Sequence, residues 1–316
     1  MQHITDEMVD CHVAPEDVQR IMLEAFRSFG QGSAAMQQRI RTEAGGVKLS
    51  TLGAVIPEQG VAGAKVYTTI EGQFSFVILL FSTEDGRPLA SFDAGAITRL
   101  RTAACTVVAA RHLARPDART LALFGAGTQG TAHARQLSAA LPLERILLCD
   151  PYAPADMAGR LSQSCGIPVI QVSATEAEAA VREADIVVTA SRSTTPLFSG
   201  EAIKPGAFVA AIGSSLPHTR ELDDVALSRA SAVVVEWKPQ STREAGDIVM
   251  AGQGVLPESK LIELADVVLG RAQPRRGEDD IVIYKSVGVG LEDVALAGLA
   301  WRRLQAAAQT GATTAA

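Results

Sequence analysis

The residues best suited to chemistry are three glycines and one acid between Thr120 and Pro151. An apolar run, Leu121-Ala122-Leu123-Phe124, leads into Gly125-Ala126-Gly127-Thr128-Gln129-Gly130. A helical pattern follows from Ala132 to Ala140, and a second apolar run, Ile146-Leu147-Leu148-Cys149, ends at Asp150. Strand, G-x-G-x-x-G, helix, strand and acid is the order that binds a dinucleotide. Gly125 permits the tight turn out of the strand, Gly127 lets backbone approach a pyrophosphate, and Gly130 lets the helix pack closely on the sheet. Thr128 and Gln129 stand in the loop ahead of the helix, whose first N–H groups and positive dipole end suit phosphates. Asp150 lies about twenty residues past the last glycine, where a carboxylate accepts hydrogen bonds from ribose hydroxyls and repels a 2′-phosphate. The expected cofactor is therefore NAD, with NADP as the alternative because Arg145 or Tyr152 could reshape that corner. A bare G-x-G-x-x-G can also be a plain glycine-rich turn. Here the flanking strands, helix and acid accompany it.

The elements around this loop predict an α/β fold with a Rossmann-type, doubly wound parallel sheet. From Thr120 onward strands alternate with helices, as in a parallel sheet covered on both faces. Helices are expected at 154–164 and 174–183, and strands at 168–171, Ile186–Ala190, Phe208–Ile212 and Val233–Glu236. Further helices are expected within 240–252 and 258–264, then a strand at Ile281–Lys285. Thr189 and Gly213 fall where open α/β sheets present residues to ligands, so both are expected near the nicotinamide. Ser286 is expected to line the same pocket.

Residues 1–30 predict a short segment and a helix begun near Pro15. Strands follow within 39–56, turning at Gly45-Gly46, then a strand carrying Lys65, then Phe74–Phe81 and Pro88–Phe92. An Ala-rich helix is expected over 93–115, opening with Asp93. Pro116-Asp117 reads as the hinge into the dinucleotide half. A last helix, 287–304, should return to pack on the first domain, with the tail from Gln305 frayed. The expected division is an α+β substrate-binding and dimerisation domain, 1–115 with 290–316, and a dinucleotide-binding domain, 116–289.

At 316 residues the chain is long enough for two domains. A net charge of −6 gives no reason to expect nucleic acid or an anionic membrane as partner. The start, MQHITDEMVD, is acidic and polar rather than a signal peptide, and no apolar run reaches membrane-spanning length. Four cysteines without C-x-x-C spacing suit reduced thiols, so a cytoplasmic location is expected. His112, His133 and His218 lack metal-ligand spacing, and core or surface histidines are expected instead.

Five segments in order, RTAACTVVAARHLA, LFGAGTQG, VVTASRSTTPLF, IGSSLPHTRELD and KSVGVGLEDVALA, resemble the ornithine cyclodeaminase/mu-crystallin family. The resemblance runs from about residue 36 to 305. It implies hydride transfer between NAD(P)(H) and the α-carbon of a small amino or imino acid, usually in a homodimer joined through the non-Rossmann domain. It also implies that Arg101 binds the substrate carboxylate, a task for which a guanidinium fork is suited. Lys65, in Gly63-Ala64-Lys65-Val66, would pair with the same carboxylate and relay a proton. Arg41, in QRIRT, matches a second carboxylate contact. Arg39 stands where the family usually has proline and would share its face on an extended strand, so that assignment stays open.

One departure bears on the reaction. Where ornithine cyclodeaminase carries an aspartate that handles the distal amine, Ser215 aligns, and no Gly-Lys follows. A serine hydroxyl neither anchors a cation by charge nor acts unaided as a base at neutral pH. Asp223 and Asp224 fall at an expected helix start, where capping explains them. The segment Glu244–Asp247 matches the family without an assignable role. The expected activity is an NAD(P)-dependent imino acid reductase, for instance of Δ1-pyrroline-2-carboxylate, or the reverse amino acid dehydrogenase. The alternatives are ornithine cyclodeaminase itself and a non-catalytic, crystallin-like binding protein.

Overall fold

The chain condenses, in a computed structural model, into two compact units: Met1–Cys105 with the chain from Val289 onward, and Thr106–Gly288. Secondary structure is described for residues 1–314 and side chains for residues 1–310. The division falls inside the helix Gly95–Leu113 rather than at Pro116-Asp117. The helix's later half belongs with the dinucleotide unit. There the Thr106 hydroxyl lies 2.9 Å from His133 Nε2, and Arg275 donates to the Leu113 carbonyl at 2.9 Å.

The first unit holds seven strands: β1 (Gln2–Ile4), β2 (Ala35–Met36), β3 (Ile40–Ala44), β4 (Val47–Ile56), β5 (Val61–Ile70), β6 (Gln73–Ser82) and β7 (Pro88–Asp93). Their order is β1-β7-β6-β5-β4-β2, with β3 also on β4. Gly45 and Gly46, both at positive φ, make the expected turn between β3 and β4. β1 and β2 are unforeseen additions, since two or three residues cannot display a period. Along β4, Leu52, Ala54 and Ile56 are buried while Val47, Leu49 and Val55 point out on the other face.

The C-terminal helix Gly290–Thr314 lies on the buried face, packed against β4, β5 and β6. A Cβ on Gly290 would come within 2.6 Å of the Gly53 backbone, so only glycine permits this approach. The helix does not fray at Gln305 but continues to Thr314. The helix Gly95–Leu113 does not open at Asp93 either. Asp93 ends β7, and the helix's first turn is capped from afar, with Ala96 N–H donating to Asp6 Oδ1 at 2.7 Å.

The second unit is an α/β layer built on eight parallel strands: β8 (Thr120–Phe124), β9 (Arg145–Cys149), β10 (Val169–Gln171), β11 (Ile186–Thr189), β12 (Phe208–Ala211), β13 (Ala232–Val235), β14 (Leu261–Glu263) and β15 (Val282–Lys285). The order is β10-β9-β8-β11-β12-β15-β13-β14. Its first five positions follow the dinucleotide-fold order, with the switch point between β8 and β11. The apolar runs of β8, β9, β11, β12, β13 and β15 are buried, as a sheet covered on both faces requires, while the edge strand β10 leaves Ile170 exposed. Two expected helices differ. Residues 258–264 form a 3-10 turn, Glu258–Lys260, and then β14, whose three-residue run is too short to reveal its period. The helix expected within 240–252 breaks into Lys238–Glu244 and Gly246–Val249, because Gly246 packs directly on the Thr219 carbonyl.

Candidate active site

The loop after β8 has the geometry its glycines predict. Gly125 sits at φ +95°, and a Cβ there would lie 2.6 Å from the Ala190 carbonyl oxygen. At Gly130 a Cβ would strike the Gly125 carbonyl, so the helix Thr128–Ala140 can approach its own strand only with glycine there. Gly127 faces open space, with nothing within 4 Å of where its Cβ would be. It is the N-cap of that helix, and no side chain caps it. An open glycine at an uncapped helix start is able to receive a pyrophosphate. Thr128 is exposed and Gln129 half-buried at this start.

Asp150 is half-buried at the end of β9. Its Oδ2 accepts the Ala126 N–H at 2.7 Å, and its Oδ1 accepts the Tyr152 N–H at 2.9 Å. The acid is thus fixed against the glycine loop, with further lone pairs for a ribose. Arg145 starts the same strand and pairs with Glu183, which places it at the opposite edge from Asp150. Tyr152 is 93% exposed.

The loops after β11, β12 and β15 are tied down by buried carboxylates that the sequence had left without roles. Thr189 is fully buried and its hydroxyl donates to Glu221 Oε2 at 2.8 Å, so its side chain is committed to the protein rather than free for a ligand. The Gly213 N–H donates to the same oxygen at 2.8 Å. Ser286 is buried as well, its hydroxyl donating to Glu236, which also takes the Val287 N–H at 2.9 Å. Glu244–Asp247 gains a role through Asp247, which accepts the Glu221 and Leu222 N–H groups and pairs with Lys285 at 2.8 Å. Ser215 is half-buried in the loop after β12. Asp223 caps the helix Asp224–Arg229 by accepting the Ala226 N–H at 2.8 Å, as expected.

In the first unit, Lys65 and Arg101 come together. Lys65, on β5, is 3% exposed and Arg101 5% exposed, so neither is a solvated surface cation. Lys65 Nζ donates to Thr98 Oγ1 at 2.5 Å, lies 3.4 Å from Asp293 Oδ1, and sits 4.6 Å from the Phe76 ring centre. Arg101 pairs with Glu292 and places Nε 3.3 Å from Asp293 Oδ1. Glu292 and Asp293 open the C-terminal helix and are fully buried. Burial pushes the Lys65 ammonium down to about 8; Asp293 opposes this, while Arg101 and Arg39 push the same way as burial. Arg39 and Arg41 do not share a strand, because β3 begins at Ile40. Arg41 is half-buried in β3, opposite Ser50, whereas Arg39 precedes it and contributes its charge to Lys65.

Glu292 and Asp293 escaped sequence reasoning because acids in a first turn read as ordinary helix-start residues. Their neighbours Val289, Leu291 and Val294 were the available signal, since acids inside so apolar a run must be buried with partners.

The chain matches the Ornithine cyclodeaminase/mu-crystallin family over residues 2–307. It belongs to this family. A Delta(1)-pyrroline-2-carboxylate reductase of Bacillus cereus is 34% identical over 268 residues, covering 83% of this chain and 78% of that one. A crystal structure of a probable ornithine cyclodeaminase from Bordetella pertussis Tohama I is 63% identical, with a TM-score of 0.94 and 98% of each chain covered. The Thermococcus litoralis Delta(1)-pyrroline-2-carboxylate reductase, in complex with NADH and L-proline, is 25% identical with a TM-score of 0.91, again over 98% of each chain.

Proposed function

We propose that this family member is an NAD-dependent oxidoreductase that reduces a small imino acid, open or cyclic, such as Δ1-pyrroline-2-carboxylate, or oxidises the matching amino acid in reverse. The observation that carries this reading is the buried cluster around Lys65. Lys65 and Arg101 are held by two buried carboxylates, Glu292 and Asp293, and Arg39 is near enough to push the Lys65 ammonium down. A buried guanidinium and ammonium, held side by side by the protein's own acids, form a place that a substrate carboxylate can join.

Arg101 offers its fork to that carboxylate and Lys65 adds a point charge, fixing the α-carbon. Arg41 is the further carboxylate contact that the family pattern suggests. With a pKa near 8, Lys65 gains and loses a proton close to neutral pH and can deliver one to the imine nitrogen. A protonated C=N is the better hydride acceptor. Gly125, Gly127, Thr128, Gln129 and Gly130 hold the pyrophosphate, Asp150 the ribose, and Thr189, Gly213 and Ser286 shape the nicotinamide end. Bound NADH supplies the hydride. The test is NADH and NADPH oxidation against a panel of imino acids, with Δ1-pyrroline-2-carboxylate, Δ1-piperideine-2-carboxylate, and pyruvate with ammonia or methylamine. Faster turnover with NADH on at least one is expected; no oxidation of either cofactor with any of them rejects the reading.

Ornithine cyclodeaminase is the second reading, favoured by the likeness to the probable ornithine cyclodeaminase of Bordetella pertussis. Ser215 opposes it, since no acid stands there to hold the distal amine. Proline and ammonia release from L-ornithine, without net NADH change, would reverse the order.

The protein is proposed to work as a homodimer. Ile40, Val47, Leu49, Val55 and Phe81 are exposed. By strand pairing they share the sheet face opposite the C-terminal helix. A row of exposed aliphatic and aromatic side chains on one sheet face suits a second copy.

A further inference from the structure

Glu221 is a heavily used side chain of the second unit. It is fully buried, and five donors converge on its two oxygens. Oε1 accepts the Ser191 N–H at 2.8 Å and the Ser191 hydroxyl at 2.7 Å. Oε2 accepts the Thr189 hydroxyl and the Gly213 N–H, each at 2.8 Å, and the Ser214 N–H at 3.3 Å. Three of the five donors are backbone N–H groups of the kind that cradle an anion. Here the protein supplies the anion itself. Behind it, Asp247 accepts the Glu221 N–H at 2.7 Å and pairs with Lys285 at the end of β15.

These contacts join the carboxyl ends of three neighbouring strands, β11, β12 and β15. The loop after β11 also meets the glycine turn, because Gly125 packs on the Ala190 carbonyl. Open α/β sheets receive ligands at this edge, beside the switch point. We infer that Glu221, backed by Asp247, is a positioning residue that fixes the loops after β11 and β12 where the nicotinamide end of the dinucleotide is received. This rests on the dinucleotide reading above. The effect is selective by construction. Glu221 touches neither Gly127 nor Asp150, so the pyrophosphate and ribose contacts do not depend on it directly.

Glutamine cannot replace Glu221. One of its two terminal atoms is an NH2 donor, and each carboxylate oxygen now accepts at least one backbone N–H. Whichever way the amide turns, a donor faces a donor.

The test compares two ligands on the full chain. ADP-ribose keeps the adenosine, pyrophosphate and second ribose of NADH but lacks the nicotinamide. Binding of both is measured for the unaltered chain and for Glu221→Gln, Thr189→Val and Ser191→Ala. The last two remove one hydroxyl donor each and leave the carboxylate. The expected result is that Glu221→Gln weakens NADH about tenfold or more, a loss of about 1.4 kcal/mol, while ADP-ribose changes less than about twofold. The two milder variants should show the same selectivity at smaller size. With NADH deuterated at the transferred position, the isotope effect on turnover should rise, because a loosely held ring makes hydride transfer slower than release. Equal loss of both ligands, or loss of neither, in the variants that fold overturns the inference. An unaltered chain that binds neither ligand overturns the dinucleotide reading, and this inference with it.

Discussion

Lys65 and Arg101 are paired within the protein before any substrate arrives, so each can be tested for charge and shape separately. Arg101→Lys keeps the charge and loses the fork; kcat/KM for the imino acid should fall about a hundredfold, about 2–3 kcal/mol of transition-state binding, as read from steady-state rates. Lys65 titrates near 8 in the free protein, so kcat/KM for reduction should fall as pH rises through about 8. Lys65→Arg should carry that limb out of the range; a limb unmoved in the variant assigns it elsewhere. The same shift has a stability consequence. Folding lowers this pKa from 10.5 to about 8, so between those values the unfolded chain binds more protons and stability rises with pH. Lys65→Met should lose that rise, on the order of 3 kcal/mol between pH 7.5 and 10.5 as measured by urea unfolding against the unaltered chain.

Among elements, the turn between β8 and the helix Thr128–Ala140 tolerates little. Gly130→Ala puts a methyl group against the Gly125 carbonyl, and the backbone must move. A cost of about 1–3 kcal/mol in stability is expected, together with weaker dinucleotide binding, by denaturation and by NADH titration. Asp150, fixed by the Ala126 and Tyr152 N–H groups at the far end of β9 from Arg145, is the residue proposed to set the cofactor choice. Asp150→Ser should narrow the NADH over NADPH preference about tenfold or more, an effect of about 1.4 kcal/mol, read as the ratio of the two kcat/KM values. An unchanged ratio assigns the preference to another residue.

At the scale of the whole molecule, the exposed row Ile40, Val47, Leu49, Val55 and Phe81 predicts association. Leu49→Lys, at the centre of the row, should shift a dimer toward monomer in sedimentation at micromolar concentration. A chain that is monomeric without the change removes the proposal.

Local pattern was enough to read the glycine loop, its flanking strands, the acid at Asp150 and the alternation that makes a parallel sheet. Each of these acts over a few residues, so turn chemistry and period determine them. The short strands β1, β2 and β14 were illegible, since their pairing partners supply what so few residues cannot. The cap of the helix Gly95–Leu113 was illegible for a related reason, since Asp6 stands 90 positions away. The same holds for the chemistry. Arg101 and Lys65 were visible as candidates, but the acids that hold them, Glu292 and Asp293, come from the other end of the chain. A buried charge needs its partner within a few ångströms in space, at any distance along the chain, and only the tertiary fold determines which residues those are.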